Sequence, residues 1–563
     1  MTHSVPSKKG GNILCRVALF AALVLLSACA QPSSRTTDFP SADVTITVLH
    51  TNDTHSAYGG NTDKGFICYA AMCEGGSGGY VRMDQAVRSV REANPGAIFL
   101  DAGDIFQGTL FWTLHKERMP AAVLDRMGYQ AITAGNHEFD DGNAAYLRYL
   151  AAINTPVLAA NLRFDPKPAS SGADHLKPYI VLERGGHKIG IIGIVHPETP
   201  SLSSPNPEAK FSDAKEALEQ AVKELTAQNV NIIIALTHLG FENEKRLARM
   251  VDGVDLYVGA HSHSYLSNIS DKAEGPYPVV EKTPDGTPVL VVTASTACVY
   301  LGKLDVGFDK KGIARAWQGE PILLDAETLR AMNAPDPDLK LAGLIDAFAA
   351  PVKSMMETQI ATINAPGRNG MPLEDPSVLE CRRVECLSGN IVADSLRLVP
   401  FGETQIALLN GGAIRASLPG GPVTPGDVLG ALPFQNTPVM TNMSGKLVVL
   451  ALEHGVSTYG EGEGRFLQVS GLRYAFNPTK NPGGRVTKVE VRDNRGQWKP
   501  LNPNATYSVV SVDYLARGGD GFSMFSGLEW RERDKLMNDV LRTYLEQKST
   551  VNISFQNRIG VQK

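Results

Sequence analysis

The sequence predicts a layered α/β protein of two or more units, and three observations carry that prediction. Strand-length apolar runs alternate with helical patterns through the first half, the runs end in clusters of polar residues, and 563 residues are too many for one compact core. Composition agrees, since 43% hydrophobic and 20% charged residues exclude wholesale disorder. The 34 prolines and 54 glycines are dispersed, which excludes collagen-like and low-complexity classes. Fifty-four basic against 59 acidic residues give a formal charge of -5, unlike the basic footprint of a duplex-binding protein.

The first element is a segment to be removed. Lys8, Lys9 and Arg16 precede the apolar run 17–26, too short to span a bilayer as a helix but suited to a secretion signal. It ends in Leu26-Ser27-Ala28-Cys29, which resembles the bacterial lipobox, where the cysteine is lipidated and becomes the mature N-terminus. The alternative is a plain signal peptide in which Cys29 is incidental. On the lipobox reading residues 1–28 are the signal peptide and 29–42 a polar tether. The protein would then be exported and lipid-anchored to the bacterial cell envelope, periplasmic or on the outer surface. Cleavage would leave 51 basic and 59 acidic residues, a formal charge of -8.

Export permits disulfides. Of seven cysteines, Cys15 would leave with the signal and Cys29 would carry lipid, leaving Cys68, Cys73, Cys298, Cys381 and Cys386. The pairs 68/73 and 381/386 are each five apart, wider than common zinc knuckles and able to close small loops. Two local disulfides and one leftover thiol are expected; the alternative is five buried free thiols. Cys298, in the apolar run 291–300, reads as an inert core residue.

Strand-length runs follow at 44–49, 97–100, 156–160, 189–195, 232–236, 256–258 and 289–292, with helical patterns at 80–93 and 212–228. The first run leads into Asp53-Thr54-His55 and the second into Asp101-Ala102-Gly103-Asp104. Ala131-Ile132-Thr133 leads into Gly135-Asn136-His137-Glu138-Phe139-Asp140. The fifth run leads into Thr237-His238, and 256–258 into Gly259-Ala260-His261-Ser262-His263. In α/β sheets the ligand site lies beyond the carboxyl ends of the strands, so these loops can converge. They supply oxygen and imidazole donors without a thiolate, a mixture that suits divalent zinc, manganese or cobalt. Two such ions sharing a bridging carboxylate could clamp a phosphate ester.

The ordered series DxH, GD, GNHE, H and GxHxH over residues 44–300 resembles the calcineurin-like metallophosphoesterases. With the motifs of the second half it is similar to the 5'-nucleotidase family. The resemblance implies a four-layer metallophosphoesterase sandwich over 43–333, a linker helix over 334–358, and a smaller α+β nucleotide-binding domain over 359–563. It implies that Asp53, His55, Asp104 and His263 hold one metal, and that Asp104, Asn136, His238 and His261 hold a second, with Asp104 bridging. In this half two positions depart from the family pattern, His263 where many members carry Gln or Asn and Ala260 in place of Gly; in the second half Ala413 replaces a Gly of the family's Asn-Gly-Gly-Gly-Ile-Arg motif. His137 and Asp140 match the family's catalytic dyad, in which a cationic donor stabilises charge developing on phosphoryl oxygens. Asp141 is an adjacent carboxylate; the family spacing favours Asp140.

Helical spacing of Leu339, Leu341, Leu344, Ile345 and Phe348 marks the connector. Beyond it, helix patterns at 390–398 and 446–454 mix with strands at 405–409 and 506–510. Four motifs there resemble the family's substrate domain: Cys381-Arg382-Arg383-Val384-Glu385-Cys386, Asn410-Gly411-Gly412-Ala413-Ile414-Arg415, Leu432-Pro433-Phe434, and Tyr514 followed by Gly518-Gly519-Asp520-Gly521-Phe522. By resemblance Arg382 and Arg415 hold the substrate phosphate, since a guanidinium pairs two phosphate oxygens at once; Arg383 could share that task. Phe434 and Tyr514 would sandwich the base, Asn410 would contact it, and Asp520 would take ribose hydroxyls. Many relatives have Phe at position 514. With metals on one domain and nucleoside on the other, catalysis would require the domains to close.

The implied activity is hydrolysis of nucleoside 5'-phosphates for nucleotide salvage, extending to pyrophosphates such as NAD or UDP-sugars. One alternative is a 2',3'-cyclic-nucleotide phosphodiesterase with 3'-nucleotidase activity. A non-catalytic nucleotide-binding lipoprotein is a reading of another class; it has no need of a full metal set together with the dyad.

Overall fold

Strand Val44–Thr51 divides two cores, as the alternation of its side chains requires. Ile46 and Val48 face a core shared with the second sheet, while Leu49 faces a core shared with helices. The computed structural model describes residues 39, 42–63, 67–166, 172–374, 380–434, 436–493, 495–533 and 535–562; the expected signal peptide and Cys29 lie outside them.

The first sheet has eight strands, running Ala314–Gly319, Tyr300–Phe308, Val44–Thr51, Ile98–Asp101, Ala131–Thr133, Val157–Leu158 and Leu176–Lys177, with Ile322–Leu323 added on Tyr300–Phe308. From Val44–Thr51 to Leu176–Lys177 the pairing is parallel. The second sheet runs Val279–Lys282, Pro288–Val292, Leu256–Val258, Ile232–His238, His187–Val195 and Tyr179–Arg184, with a parallel centre and antiparallel edges. Ile189, Ile191, Ile232, Ile234, Leu256 and Val258 meet Ile98, Leu100 and Ala131 across the gap between the sheets. Helices Tyr80–Ala93 and Arg118–Met127 cover the outer face of the first sheet, and Ala214–Ala227 and Phe241–Ala248 that of the second. This is the four-layer sandwich.

The smaller unit is α+β. Its central sheet orders Leu467–Ser470, Ile406–Asn410, Thr506–Val512, Pro438–Ser444 and Arg531–Glu532, with Leu387–Leu398 and Met537–Lys548 packed on one core. The connecting helix is Leu339–Met356, shorter than the expected 334–358. Pro335 and Pro337 keep the residues before it non-helical, and Asp338 caps it by accepting from Lys340 N and Leu341 N. Leu341, Ile345, Ala349 and Val352 insert into the core of the first unit, whereas Leu339, at the first turn, is 82% exposed. Its far end touches helix Pro425–Ala431 of the second unit. Among the described residues no helix is long and apolar enough to cross a membrane.

Candidate active site

Five loops meet at the carboxyl edge of the two sheets, because parallel pairing brings the strand ends side by side. His238 is the last residue of its strand; Asp53, Asp104, Asn136 and His261 each follow theirs by two or three residues. The backbone there is unusual. Asp53 (φ 48°), His55 (φ 46°), Asp104 (φ 55°), His261 (φ 79°) and His263 (φ 57°) all lie in the left-handed region that non-glycine residues resist. Such strain persists where surrounding bonds over-determine the loop, and it clusters at functional sites.

Two groups result. Donor atoms of Asp53, His55 and His263 lie within 4.8 Å of one another, as do those of Asp104, His238 and His261. The Nε2 atoms of His55 and His263 face each other at 3.0 Å. His55 Nδ1 donates to the Phe106 carbonyl (3.4 Å) and His238 Nδ1 to the Ala102 carbonyl (2.8 Å), which directs each Nε2 into the site. Among the described residues, buried Asn136 Oδ1 and His238 Nε2 have no hydrogen-bond partner; His238 Nε2 lies 3.1 Å from Asp104 Oδ2 without hydrogen-bond alignment. Opposed lone pairs, an orphaned amide oxygen and two buried carboxylates fit a pair of divalent cations. Asp53, His55, His263 and Asp104 could hold one, and Asp104, Asn136, His238 and His261 the other.

The electrostatics point the same way. Burial lowers His263 to about 3 and sets His55 and His261 well below the ordinary imidazole value, so these rings are neutral and ligand-competent. Burial pushes the Asp53 carboxyl up to about 7, with His238 opposing the rise and Asp104 adding to it. Burial also disfavours the charge on Asp104, yet His238 and then His137 hold it well below the carboxylate range; in return, against burial, Asp104 raises His238 to about 10, so that His238 carries a proton where a cation would bind.

The structure brings His137 and Asp140 into contact. His137 Nδ1 faces Asp140 Oδ2 at 2.6 Å, and Ser203 Oγ donates to Asp140 Oδ1 at 2.6 Å. Burial works against the charge on His137, but Asp140 and then Asp104 raise it above the ordinary value. Asp141 turns away and pairs with Lys116 at 2.7 Å, which separates it from the dyad.

Several supports were not legible. The Glu138 carboxylate accepts from four backbone amides, Gly135 (2.6 Å), Asp104 (3.1 Å), Ile105 (2.9 Å) and Phe106 (3.1 Å), tying two of the loops together. Glu244 Oε1 does the same for the second sheet, accepting from Thr237 Oγ1 (3.1 Å), Leu239 N (3.4 Å) and Ala260 N (3.0 Å). Gly259 is required beside it, since a Cβ there would lie 1.8 Å from Glu244 Oε2. His196, at the end of strand His187–Val195, places its ring 5.0 Å from that of His261.

The second unit faces this cluster. Arg382 and Arg415 are half-buried; burial and then Arg415 lower Arg382 to about 10, while Arg415 feels Asp140, Asp104 and Asp53 across the boundary. The Phe434 ring stacks near His137 (centroids 6.0 Å apart), with the Arg415 guanidinium 5.9 Å from its centroid. Asn410 Nδ2 donates to Asp520 Oδ2 (2.7 Å), and Tyr514 Oη donates to Asp520 Oδ1 (2.9 Å). Arg383 is exposed where Arg382 and Arg415 are half-buried, and its guanidinium lies beside Gly462, whose carbonyl accepts from Arg382 Nη1 (3.2 Å). Cys68–Cys73 and Cys381–Cys386 are disulfides, the latter closing the loop that carries Arg382, and Cys298 is a buried free thiol.

Comparison with known proteins follows this division. Residues 46–265 match the calcineurin-like phosphoesterase family model and residues 359–527 the 5'-nucleotidase C-terminal domain. The 5'-nucleotidase of Bos taurus is 34% identical over 499 residues, 85% of this chain and 84% of that protein. The 5'-nucleotidase of Homo sapiens is 33% identical over 536 residues, 91% and 90% respectively. A crystal structure of a 5'-nucleotidase precursor from Thermus thermophilus is similar with a TM-score of 0.81 and 36% identity, covering 92% of this chain and 100% of that one. The NAD nucleotidase of Haemophilus influenzae is similar with a TM-score of 0.55 and 25% identity, covering 92% and 100%.

Proposed function

The chain belongs to the 5'-nucleotidase family and is a hydrolase of that kind, and from this premise we propose that it uses two divalent ions to hydrolyse nucleoside 5'-monophosphates to nucleoside and phosphate. The observation that carries the reading is the confrontation of Arg382, Arg415 and Phe434 with His137 and the two Asp/His groups across the domain boundary. A cationic pair next to a cation-binding cluster suits a phosphate dianion, which accepts from guanidinium on one side.

Each residue then has a task. Asp53, His55, Asp104, Asn136, His238, His261 and His263 would hold the ions, of the zinc, manganese or cobalt type, which when bound supply Lewis acidity to the ester and to an attacking water. Asp140 orients His137 and favours its protonated form, and His137 donates to a phosphoryl oxygen as charge develops. Arg382 and Arg415 align the phosphate. Phe434 and Tyr514 present ring faces to the base, and Asn410 and Asp520 offer polar groups to base and ribose.

Export and a lipid anchor at Cys29 belong to the same proposal and rest on the lipobox order of residues 26–29. Similarity to an NAD nucleotidase favours a wider range that includes the pyrophosphate of NAD or of UDP-sugars. The test is a side-by-side assay of AMP, 3'-AMP, cyclic 2',3'-AMP, NAD and UDP-glucose with metal removed and added back. Metal-dependent turnover led by AMP is expected. Preference for cyclic 2',3'-AMP would transfer the machinery to a phosphodiesterase, and no turnover of any would leave a binding protein.

A further inference from the structure

Tyr514 carries a hydroxyl that stacking on a base does not need. It donates to Asp520 Oδ1 (2.9 Å) and accepts from the Asp520 backbone N–H (3.1 Å), so one side chain closes a ring of two bonds on a single residue. The other carboxylate oxygen, Oδ2, accepts from Asn410 Nδ2 (2.7 Å), and the Asp520 carbonyl accepts from His454 Nε2 (2.8 Å). Asp520 needs this support, because its backbone is left-handed (φ 52°, ψ 22°) and it is not glycine. Its neighbour must be glycine: a Cβ on Gly519 would lie 2.5 Å from Tyr514 ring carbons. Ring, turn and carboxylate thus form one unit.

Among the described residues each oxygen of that carboxylate has one side-chain donor, and each retains lone-pair capacity. Two fixed acceptors on one carbon suit the two adjacent hydroxyls of a ribose. Phenylalanine at position 514 would keep the ring face but leave the Asp520 N–H without this acceptor and Oδ1 without this donor. We propose that the Tyr514 hydroxyl is a specificity-determining positioning group, which by fixing Asp520 makes the enzyme select ribonucleotides over deoxyribonucleotides. The proposal rests on the nucleotide-hydrolase reading above.

The test measures kcat and KM for AMP, 2'-deoxy-AMP and 3'-deoxy-AMP in wild type, Tyr514→Phe, Asp520→Ala and the double variant, each checked for wild-type melting. Wild type should prefer AMP. Tyr514→Phe should reduce that preference at least about tenfold, the lower end of the scale of one lost hydrogen bond to a charged group, and mainly through KM for AMP. Because the hydroxyl acts through Asp520, the double variant should discriminate no less than Asp520→Ala alone. A folded Tyr514→Phe whose preference changes less than about twofold overturns the proposal, as do additive losses in the double variant, which would mean that Tyr514 supports the fold. If Tyr514→Phe does not fold, an unchanged preference in Asp520→Ala overturns it. Wild type that hydrolyses all three esters equally well overturns this proposal alone; wild type that hydrolyses none overturns the functional reading with it.

Discussion

Ser203 donates its hydroxyl to Asp140 Oδ1 at 2.6 Å, and the remaining oxygen of that carboxylate faces His137 Nδ1 at the same distance. Asp140 is therefore held from both sides. Its plane, and through it the direction of the His137 Nε2 atom, is set by a serine just beyond the short helix Thr199–Leu202. That helix also packs against the Gly519–Gly521 turn of the second unit, so the support for the dyad sits on the domain boundary.

Removing that support should have a modest and specific effect. Ser203→Ala is expected to lower kcat on AMP roughly threefold to tenfold, less than the full worth of a hydrogen bond to a carboxylate because Ser203 acts on His137 only through Asp140, with bound metal unchanged. Steady-state kinetics under saturating metal check this. Unaltered kcat would mean that His137 is oriented without Ser203.

Asp104→Asn and His137→Ala should fail in different ways. Asp104 Oδ2 lies 3.1 Å from His238 Nε2 of its own ligand group and 4.0 Å from His137 Nε2 of the dyad, and its charge reaches Asp53 and His55 of the other group. Its neutral amide should abolish turnover and reduce the metal content read by elemental analysis. His137→Ala should keep its metal and lose roughly 10²–10³ in rate, as positioned charge-stabilising donors do. A fully loaded, active Asp104→Asn protein would sink the shared-ligand assignment.

Glu244 gives a pH signature in stability. Burial pushes its carboxyl up to about 7 from an ordinary 4.5, although three donors oppose the rise. A raised folded-state value means that the native protein binds more protons than the unfolded chain between those limits. This group therefore costs stability as pH rises from about 4.5 to 7, by up to about 1.4 kcal/mol per pH unit, and the loss levels off above that. Glu244→Gln keeps an acceptor oxygen and cannot ionise. Its melting temperature relative to wild type should climb across that window and then flatten. A difference independent of pH would show that Glu244 is already neutral, or already compensated, throughout.

Much of this site was legible because strands end where chemistry begins. Asp53, Asp104, Asn136, His238 and His261 are polar residues at the close of apolar runs, and parallel pairing leaves them nowhere to go but one edge. Glu138 stood inside a recognised motif without a task, since nothing in spacing reveals four backbone donors. Glu244 lies in the first turn of an amphipathic helix, where an acid reads as an ordinary N-terminal charge. Ser203 lies in a Ser/Pro-rich turn, whose composition signals only a turn. Strands Tyr300–Phe308 and Ala314–Gly319 escaped because glycine and charged residues interrupt their alternation; Lys303 and Asp305 are buried as a 2.7 Å pair.

Cys29→Ser tests the anchor. If the lipobox reading holds, the variant should move from the membrane to the soluble fraction, and mass spectrometry of the wild-type N-terminal peptide should find lipid on Cys29. Membrane fractionation that does not change, with no lipid on the wild-type peptide, removes the anchor from the proposal and leaves the catalytic argument intact.

Phe434 tests the division of labour between the units. Its ring lies 5.9 Å from the Arg415 guanidinium and 6.0 Å from the His137 imidazole, so it borders both the proposed phosphate ligand and the dyad. Truncation to alanine removes a stacking face worth roughly 0.5–1.5 kcal/mol beyond burial, and with it a contact that steadies Arg415. If the ring grips a base, the loss should fall mainly on KM for AMP, with some turnover lost because remote binding energy also aligns the phosphate. A generic ester such as p-nitrophenyl phosphate offers no nucleobase, so its hydrolysis should fall by much less. Whatever loss it does show measures the share that Phe434 exerts through Arg415 and His137. Tyr514→Ala, whose ring contacts Asp520 rather than Arg415, should show the nucleobase effect with a smaller loss on the generic ester. Equal losses on both esters in both variants, at unchanged melting temperature, would mean that these rings hold the two units together and that the base is gripped elsewhere.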